Sequence, residues 1–190
     1  MTQVKPVKGL SWGHAAIANA TWSGARLVDV LRYCGLHDEG KIEHVQFEGL
    51  DVGVGDVRYS ASVPAEKALD PKGDVILAYE MNGEPLPRDH GFPLRVIVPG
   101  VVGARNVKWV GKIILSDKES DSQWQQNDYK GFSPSVDWDT VDFKSSPAIQ
   151  ELPVISAICS PANGDNVEPI DGAVMIKGDY VCWGRDVYVL

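Results

Sequence analysis

No stretch of this 190-residue chain approaches the ~18 consecutive apolar residues that a membrane-spanning helix requires, so membrane insertion is not expected. The N-terminus, MTQVKPVKGL, has neither the apolar centre of a secretory signal nor the amphipathic, Arg- and Ser-rich pattern of a transit peptide. On its own it predicts no address. Cysteine is scarce: Cys34, Cys159 and Cys182 stand at wide, unpatterned spacing, which argues against both a zinc site and a disulfide framework. Each reads as a buried or idle thiol. Basic residues are outnumbered by acidic ones, 18 to 26, for a net charge of −8. Nonspecific binding to nucleic acid or to an anionic membrane is therefore not expected, whereas long-range attraction of a basic protein partner is. An anionic substrate would need a local basic pocket. Repeats and low-complexity segments are also missing.

What is present is ordinary globular material, 44% hydrophobic, enough to bury the core of one domain or of two small ones. One helix is expected over residues 23–35, with Ser23 as N-cap, Gly35 closing the C-terminus, and Leu27, Val30, Leu31 and Cys34 on one inward face. A second, shorter helix is expected over 64–69, with Pro64 in its first turn and Asp70-Pro71 ending it. Strands are expected at 45–48, 75–81, 94–98, 107–115, 154–158, 173–177 and 185–189. The fold class is α+β with strand dominating. A boundary is expected near residues 130–146, where KGFSPSVDWDTVDFKSS lacks either periodicity. Beyond it, ICSPANGDNVEPIDGAVMIKG has the strand–turn–strand spacing of a β-sandwich.

The run MNGEPLPRDHGFPLRVIVPGVVGARNVKWV sets His90, Arg95 and Lys108 on short turns and strands rich in Gly and Pro. Turns of that kind let backbone N–H groups and a few cationic side chains converge on one phosphate or carboxylate. Spacing alone also permits a buried histidine and solvated arginines.

PLPRDHGFPLRVIVPGVVGARNVKWVGKI (85–113) resembles the core signature of the sulfite oxidase family, the eukaryotic molybdopterin enzymes that include assimilatory nitrate reductase. TWSGARLVDVL (21–31), HVQFEGLD (44–51), ILAYEMNGEPLPRDHG (76–91), NDYKGFSPSVDWDTVDF (127–143) and IQELPV (149–154) resemble further blocks of animal members, in order. The resemblance implies that residues 1–130 are the later portion of a molybdenum-cofactor domain. It implies that 131–190 open an immunoglobulin-like dimerisation domain, which falls short of the ~100 residues a complete sandwich needs.

The resemblance also implies roles. Asp51, on the HVQFEGLD block, would bind the amino-pyrimidinone edge of the pterin by accepting N–H bonds. His90, Arg95, Asn106, Val107 and Lys108 would take the remaining cofactor contacts, with Arg95 and Lys108 opposite phosphate. Tyr129 would sit beside the exchangeable oxygen of the metal, where a neutral phenol donates a hydrogen bond without adding repulsion, with Asp128 positioning it. Trp22 would line the sulfite pocket, and Arg185 would stand at the pocket mouth. The implied cofactor is Mo-molybdopterin. Electrons would leave through a cytochrome b5-type haem domain, which this chain does not contain, to cytochrome c. The remaining implications are sulfite as substrate, a homodimer through the C-terminal domain, and the mitochondrial intermembrane space.

Two departures from the family pattern stand out. The approach to Arg185 reads Tyr180-Val-Cys-Trp-Gly where the family has aromatic-Ser-Gly-Gly-Gly. The family's molybdenum-ligating cysteine, in Cys-Ala-Gly-Asn-Arg-Arg, lies just upstream of its TQVK-like segment, and none of Cys34, Cys159 and Cys182 matches that context, so no metal ligand is assigned. The isolated product is accordingly expected to bind molybdopterin weakly and to lack turnover. Nitrate reduction, or a noncatalytic dimerisation or interaction module, are the alternatives.

Overall fold

The computed structural model describes residues 11, 18–37, 40–53, 55–153 and 155–181. Residues 20–151 form one compact unit containing two antiparallel sheets. The first has β1 (Trp22–Arg26), β4 (Ile76–Met81) and β5 (Glu84–Pro85) in that order, with β6 (Arg95–Ile97) also pairing with β4. The second runs β3 (Arg58–Pro64), β2 (His44–Val52), β7 (Val110–Ser116). Strand content dominates, with α1 (Leu27–Tyr33), α2 (Ala65–Leu69) and α3 (Gln123–Gln126) all short. Among the described residues no helix is long and apolar enough to cross a membrane.

Alternation drives β2 into place: Val45, Phe47 and Gly49 are buried while His44, Gln46 and Glu48 are only partly so, the period-2 signature of a strand with one core face. Val45 and Phe47 join Leu27, Leu31, Val63, Leu77, Val96, Val98 and Val107 in a single apolar cluster. β3 departs from that pattern because Ala61, Ser62 and Val63 are all buried. It is an edge strand, and side-chain amides satisfy its free backbone groups: the Ser62 N–H donates to Gln125 Oε1 (3.1 Å) and its carbonyl accepts from Gln150 Nε2 (3.0 Å). An edge closed in this way offers no template for further strand pairing.

The helix expected over 23–35 begins only at Leu27. Ser23 lies in β1, whose Trp22–Arg26 segment pairs with Met81–Ile76 of β4. Gly24 makes the pairing possible, since a Cβ there would come within 2.7 Å of Ala78 Cα. α1 then starts at Leu27, and Arg26 at its N-cap position makes no side-chain capping bond. Its C-terminus is as expected: Gly35, at φ +102°, donates to Arg32 O while Leu36 N donates to Leu31 O, a Schellman closure. Cys34, expected in the core, is exposed, because the helix ends before its side chain can turn inward. α2 ends at Asp70 as expected, with Asp70 Oδ1 accepting from Lys72 N at 2.8 Å.

The compact unit continues past Lys130 to Glu151. Lys130 bridges Ala148 and Val101 bridges Glu151, which ties the irregular 131–147 segment at both ends. Beyond it, β8 (Ile155–Ser160) pairs antiparallel with β9 (Lys177–Val181). The strand expected at 173–177 falls later, at Lys177–Val181; residues 174–176 take no part in the ladder, and Met175 is 76% exposed. The strand expected at 185–189 and Arg185 itself lie outside the described residues.

Candidate cofactor site

Gly91 organises the predicted cation cluster. The chain turns at Arg88–His90, a single 3-10 turn closed by Gly91 at φ +113°, a conformation that disfavours any side chain. A Cβ at Gly91 would stand 3.1 Å from Arg95 Cβ and 3.0 Å from Lys108 Cβ, so the turn packs directly on the stems of both cations. Arg95 donates from Nη1 to His90 O (2.9 Å) and from Nη2 to Asn106 O (3.3 Å). Lys108 Nζ donates to Asp89 O (2.8 Å) and lies 4.4 Å from the Trp109 ring centroid. Trp109 Nε1 in turn donates to Arg88 O (2.9 Å). Two adjacent residues therefore grip the same turn.

The structure brings His90, Arg95, Asn106 and Lys108 together, in differing states of engagement. The His90 side chain is exposed, and its backbone joins the turn. Asn106 is consumed internally: its Oδ1 accepts from Val98 N (2.6 Å) and its Nδ2 donates to Val102 O (3.1 Å), which shapes the 98–106 loop. Val107 is 1% exposed and belongs to the apolar core, with its carbonyl accepting from Val96 N. Trp22, expected to line the substrate pocket, lies under the Arg95 guanidinium, 4.6 Å from Cζ to ring centroid, within cation–π range.

Two orphaned polar atoms mark the rim of this cluster. Arg95 Nε and Asp51 Oδ1 are buried without a hydrogen-bond partner. Burial lowers the Arg95 guanidinium pKa from its ordinary value, because a charge out of water is disfavoured. Asp51 lies where the β2–β3 register breaks between Glu48 and Val52. Its carboxylate and the Lys108 carbonyl both border the space a Cβ would fill at Gly49. An unsatisfied buried polar atom costs about 1–3 kcal/mol. A carboxylate oxygen and a guanidinium N–H that both lack partners within the chain are complementary to a ligand that carries N–H donors on one part and an anion on another. A pterin phosphate has that donor and acceptor set, so the residues present fit the cofactor.

Tyr129 belongs to a second cluster. It is 44% exposed and adopts φ +44°, a left-handed conformation that costs a non-glycine residue about 1–2 kcal/mol. Asp128 contacts it through the backbone: Asp128 Oδ1 accepts from Tyr129 N at 2.8 Å. The Tyr129 carbonyl accepts from Ile149 N (3.0 Å) and from Arg105 Nη2 (3.3 Å).

Sequence reasoning passed over Arg105, Gln125 and Tyr59, which build this second cluster. Arg105 is fully buried. Tyr59 Oη donates to Ala104 O (2.6 Å) and its ring meets Trp124 at 4.8 Å. Burial, followed by the nearby Tyr129 phenol, pushes the Tyr59 phenol well above its ordinary value; Asp128 and Asp51 act in the same direction and Arg105 opposes them. Among the described residues no group of three or more His, Cys, Asp or Glu is arranged to hold a metal ion.

A strand-dominated unit presenting a cationic turn beside an unpaired carboxylate is the kind of protein that holds an anionic heterocyclic cofactor. The family described as the oxidoreductase molybdopterin binding domain matches residues 1–124, and the chain belongs to it. It is 63% identical over 180 residues to the mitochondrial sulfite oxidase of Drosophila melanogaster, covering 94% of this chain and 31% of that protein. To the mitochondrial sulfite oxidase of Homo sapiens it is 61% identical over 179 residues, covering 94% and 32%. The chain thus spans about a third of the length of these relatives. Among solved structures it resembles the sulfane dehydrogenase SoxCD from Paracoccus pantotrophus, with a TM-score of 0.63 and 28% identity over 85% of this chain and 37% of that one.

Proposed function

We propose that this chain is the cofactor- and substrate-facing part of a molybdopterin-dependent sulfite oxidase that converts sulfite to sulfate. The observation that carries the reading is the pairing of a prebuilt cationic turn, Arg95 and Lys108 on Gly91, with the orphaned Asp51 Oδ1. Asp51 holds the pterin edge. Arg95, Lys108 and the His90 turn hold the phosphate, and Trp22 keeps the Arg95 fork flat and dry. When bound, the molybdenum cofactor supplies oxygen-atom transfer to the sulfur of sulfite and takes up two electrons.

Tyr129 would face the substrate side of the bound cofactor, where a neutral phenol could donate a hydrogen bond without adding charge to an anionic site, and Asp128 Oδ1 holds the backbone N–H of Tyr129. Arg185 gathers sulfite at the mouth. The compact unit that ends at Glu151 serves in the cofactor domain, so that domain runs past the boundary expected near residue 130, and the segment beyond it starts an immunoglobulin-like dimerisation domain. The relatives named mitochondrial favour the mitochondrion; within it, the family resemblance of the sequence suggests the intermembrane space. The net charge of −8 favours docking of a basic electron acceptor such as cytochrome c. The segment NDYKGFSPSVDW favours sulfite over nitrate.

The protein expressed from its native transcript is assayed for sulfite-dependent acceptor reduction and for nitrate reduction with methyl viologen. Sulfite turnover alone is expected; nitrate turnover would overturn the reading. Tyr129→Phe should slow sulfite oxidation roughly 100- to 1,000-fold, the scale of one lost charge-stabilising donor, with molybdenum content intact. Loss of cofactor in that variant would show that Tyr129 serves the pterin and not the substrate.

A further inference from the structure

Arg105 has no part in the function so far, yet it is the largest fully buried side chain among the described residues. Its hydrogen bonds go to neutral acceptors on three separate segments. Nε donates to Ile149 O (2.9 Å), Nη1 to Trp124 O (3.1 Å) and Gln125 Oε1 (2.9 Å), and Nη2 to Tyr129 O (3.3 Å). The guanidinium carbon lies 5.9 Å from the Tyr129 ring centroid. Gln125 is fixed in turn, since its Oε1 also accepts from Ser62 N and its Nε2 donates to Glu119 Oε2 at 3.0 Å. The fork is therefore anchored to β3 and reaches a carboxylate only through an amide.

We propose that Arg105 is a positioning residue for Tyr129. The proposal rests on the reading of Tyr129 as the group at the reacting oxygen. A left-handed backbone sets the direction of the Cα–Cβ bond and hence of the phenol. At Tyr129 that conformation is held by three main-chain bonds: Asp128 Oδ1 on the N–H, and Arg105 and the Ile149 N–H on the carbonyl. Arg105 links two of those three, because it binds the Tyr129 carbonyl directly and the Ile149 carbonyl besides. Its planar fork fixes α3, the Tyr129 turn and the 148–151 segment at one mutual spacing. A lysine keeps the charge but has a single ammonium in place of the rigid fork.

The test is a double-mutant cycle in the holoenzyme, with molybdenum content measured for every variant. Arg105→Lys is expected to lower kcat about 10-fold and to change KM for sulfite less than 2-fold, with molybdenum content unchanged. In the Tyr129→Phe background the same substitution is expected to have less than a 2-fold effect. Amide hydrogen exchange at Ile149 should accelerate at least 10-fold in Arg105→Lys while exchange in α1 stays as in the parent. Equal slowing in both backgrounds, or unchanged exchange at Ile149, would overturn the assignment. Should Arg105→Lys fail to fold, Gln125→Asn shortens one acceptor and leaves Arg105 in place. It should show the same non-additivity with Tyr129→Phe, and additivity there overturns the proposal equally. A Tyr129→Phe enzyme of normal rate would instead strike the parent reading, and is told apart by that single variant.

Discussion

Asp51→Asn separates a ligand-binding carboxylate from a structural one. In the folded chain Asp51 Oδ1 is buried and unpartnered, and the Lys108 carbonyl borders the same niche. An isosteric amide removes the unpaired charge and places an N–H₂ among acceptors. The cofactor-free protein should gain about 1 kcal/mol, the low end of the cost of an unsatisfied buried acceptor. Cofactor retention should move the other way. Hydrogen bonds to a charged acceptor contribute about 1.5–3 kcal/mol, so their loss weakens retention roughly 10- to 100-fold. The assay pairs denaturant unfolding of cofactor-free protein with molybdenum content after dialysis of the loaded protein. A variant that loses stability without cofactor and holds molybdenum normally would refute the reasoning, because Asp51 would then be serving the fold. Opposed signs are the mark of a residue whose partner is not part of the chain.

Gly24→Ala should destabilise the protein by roughly 2–3 kcal/mol, since its Cβ would press into the β4 backbone at Leu77 and Ala78; thermal unfolding checks this, and a normal Tm would mean that β1 and β4 pair more loosely. Tyr59→Phe should cost about 1 kcal/mol near pH 7 through the lost bond to Ala104 O. Because the Tyr59 phenol is raised in the folded state, its stabilising share is complete below the unfolded value of about 10 and is lost as pH rises beyond it. The parent should therefore lose stability more steeply than Tyr59→Phe above pH 10, and parallel alkaline profiles would count against the burial of that phenol.

A strand with one apolar face was legible, as β2 shows. β3 was not, because RYSASVP buries Ser62 as well as Ala61 and Val63. Ser62 Oγ accepts from Ser120 N (2.9 Å) and Ser122 Oγ donates to Ser60 O (2.5 Å). A strand whose second face meets a polar network carries no alternation to read. β1 escaped for a different reason: residues 23–35 satisfy a helical period equally well, and only the approach of β4 to Gly24 selects the strand for its first part. At the site, the composition of the 81–110 run indicated an anion, while the individual roles came from resemblance. Arg105 was invisible because nothing local distinguishes an inward arginine from a solvated one when its acceptors lie 19 to 44 residues away.

The hold of Lys108 and Trp109 on the Arg88–His90 turn also bears on the thermodynamics of capture. Side chains that a ligand must immobilise each cost about 0.5–1.5 kcal/mol on binding. Here the lysine, the indole and the Arg95 fork are already tethered to backbone carbonyls, so their ordering is complete when the chain folds. On the proposed reading, a phosphate bound at this turn would lose little of its binding free energy to the ordering of these three side chains.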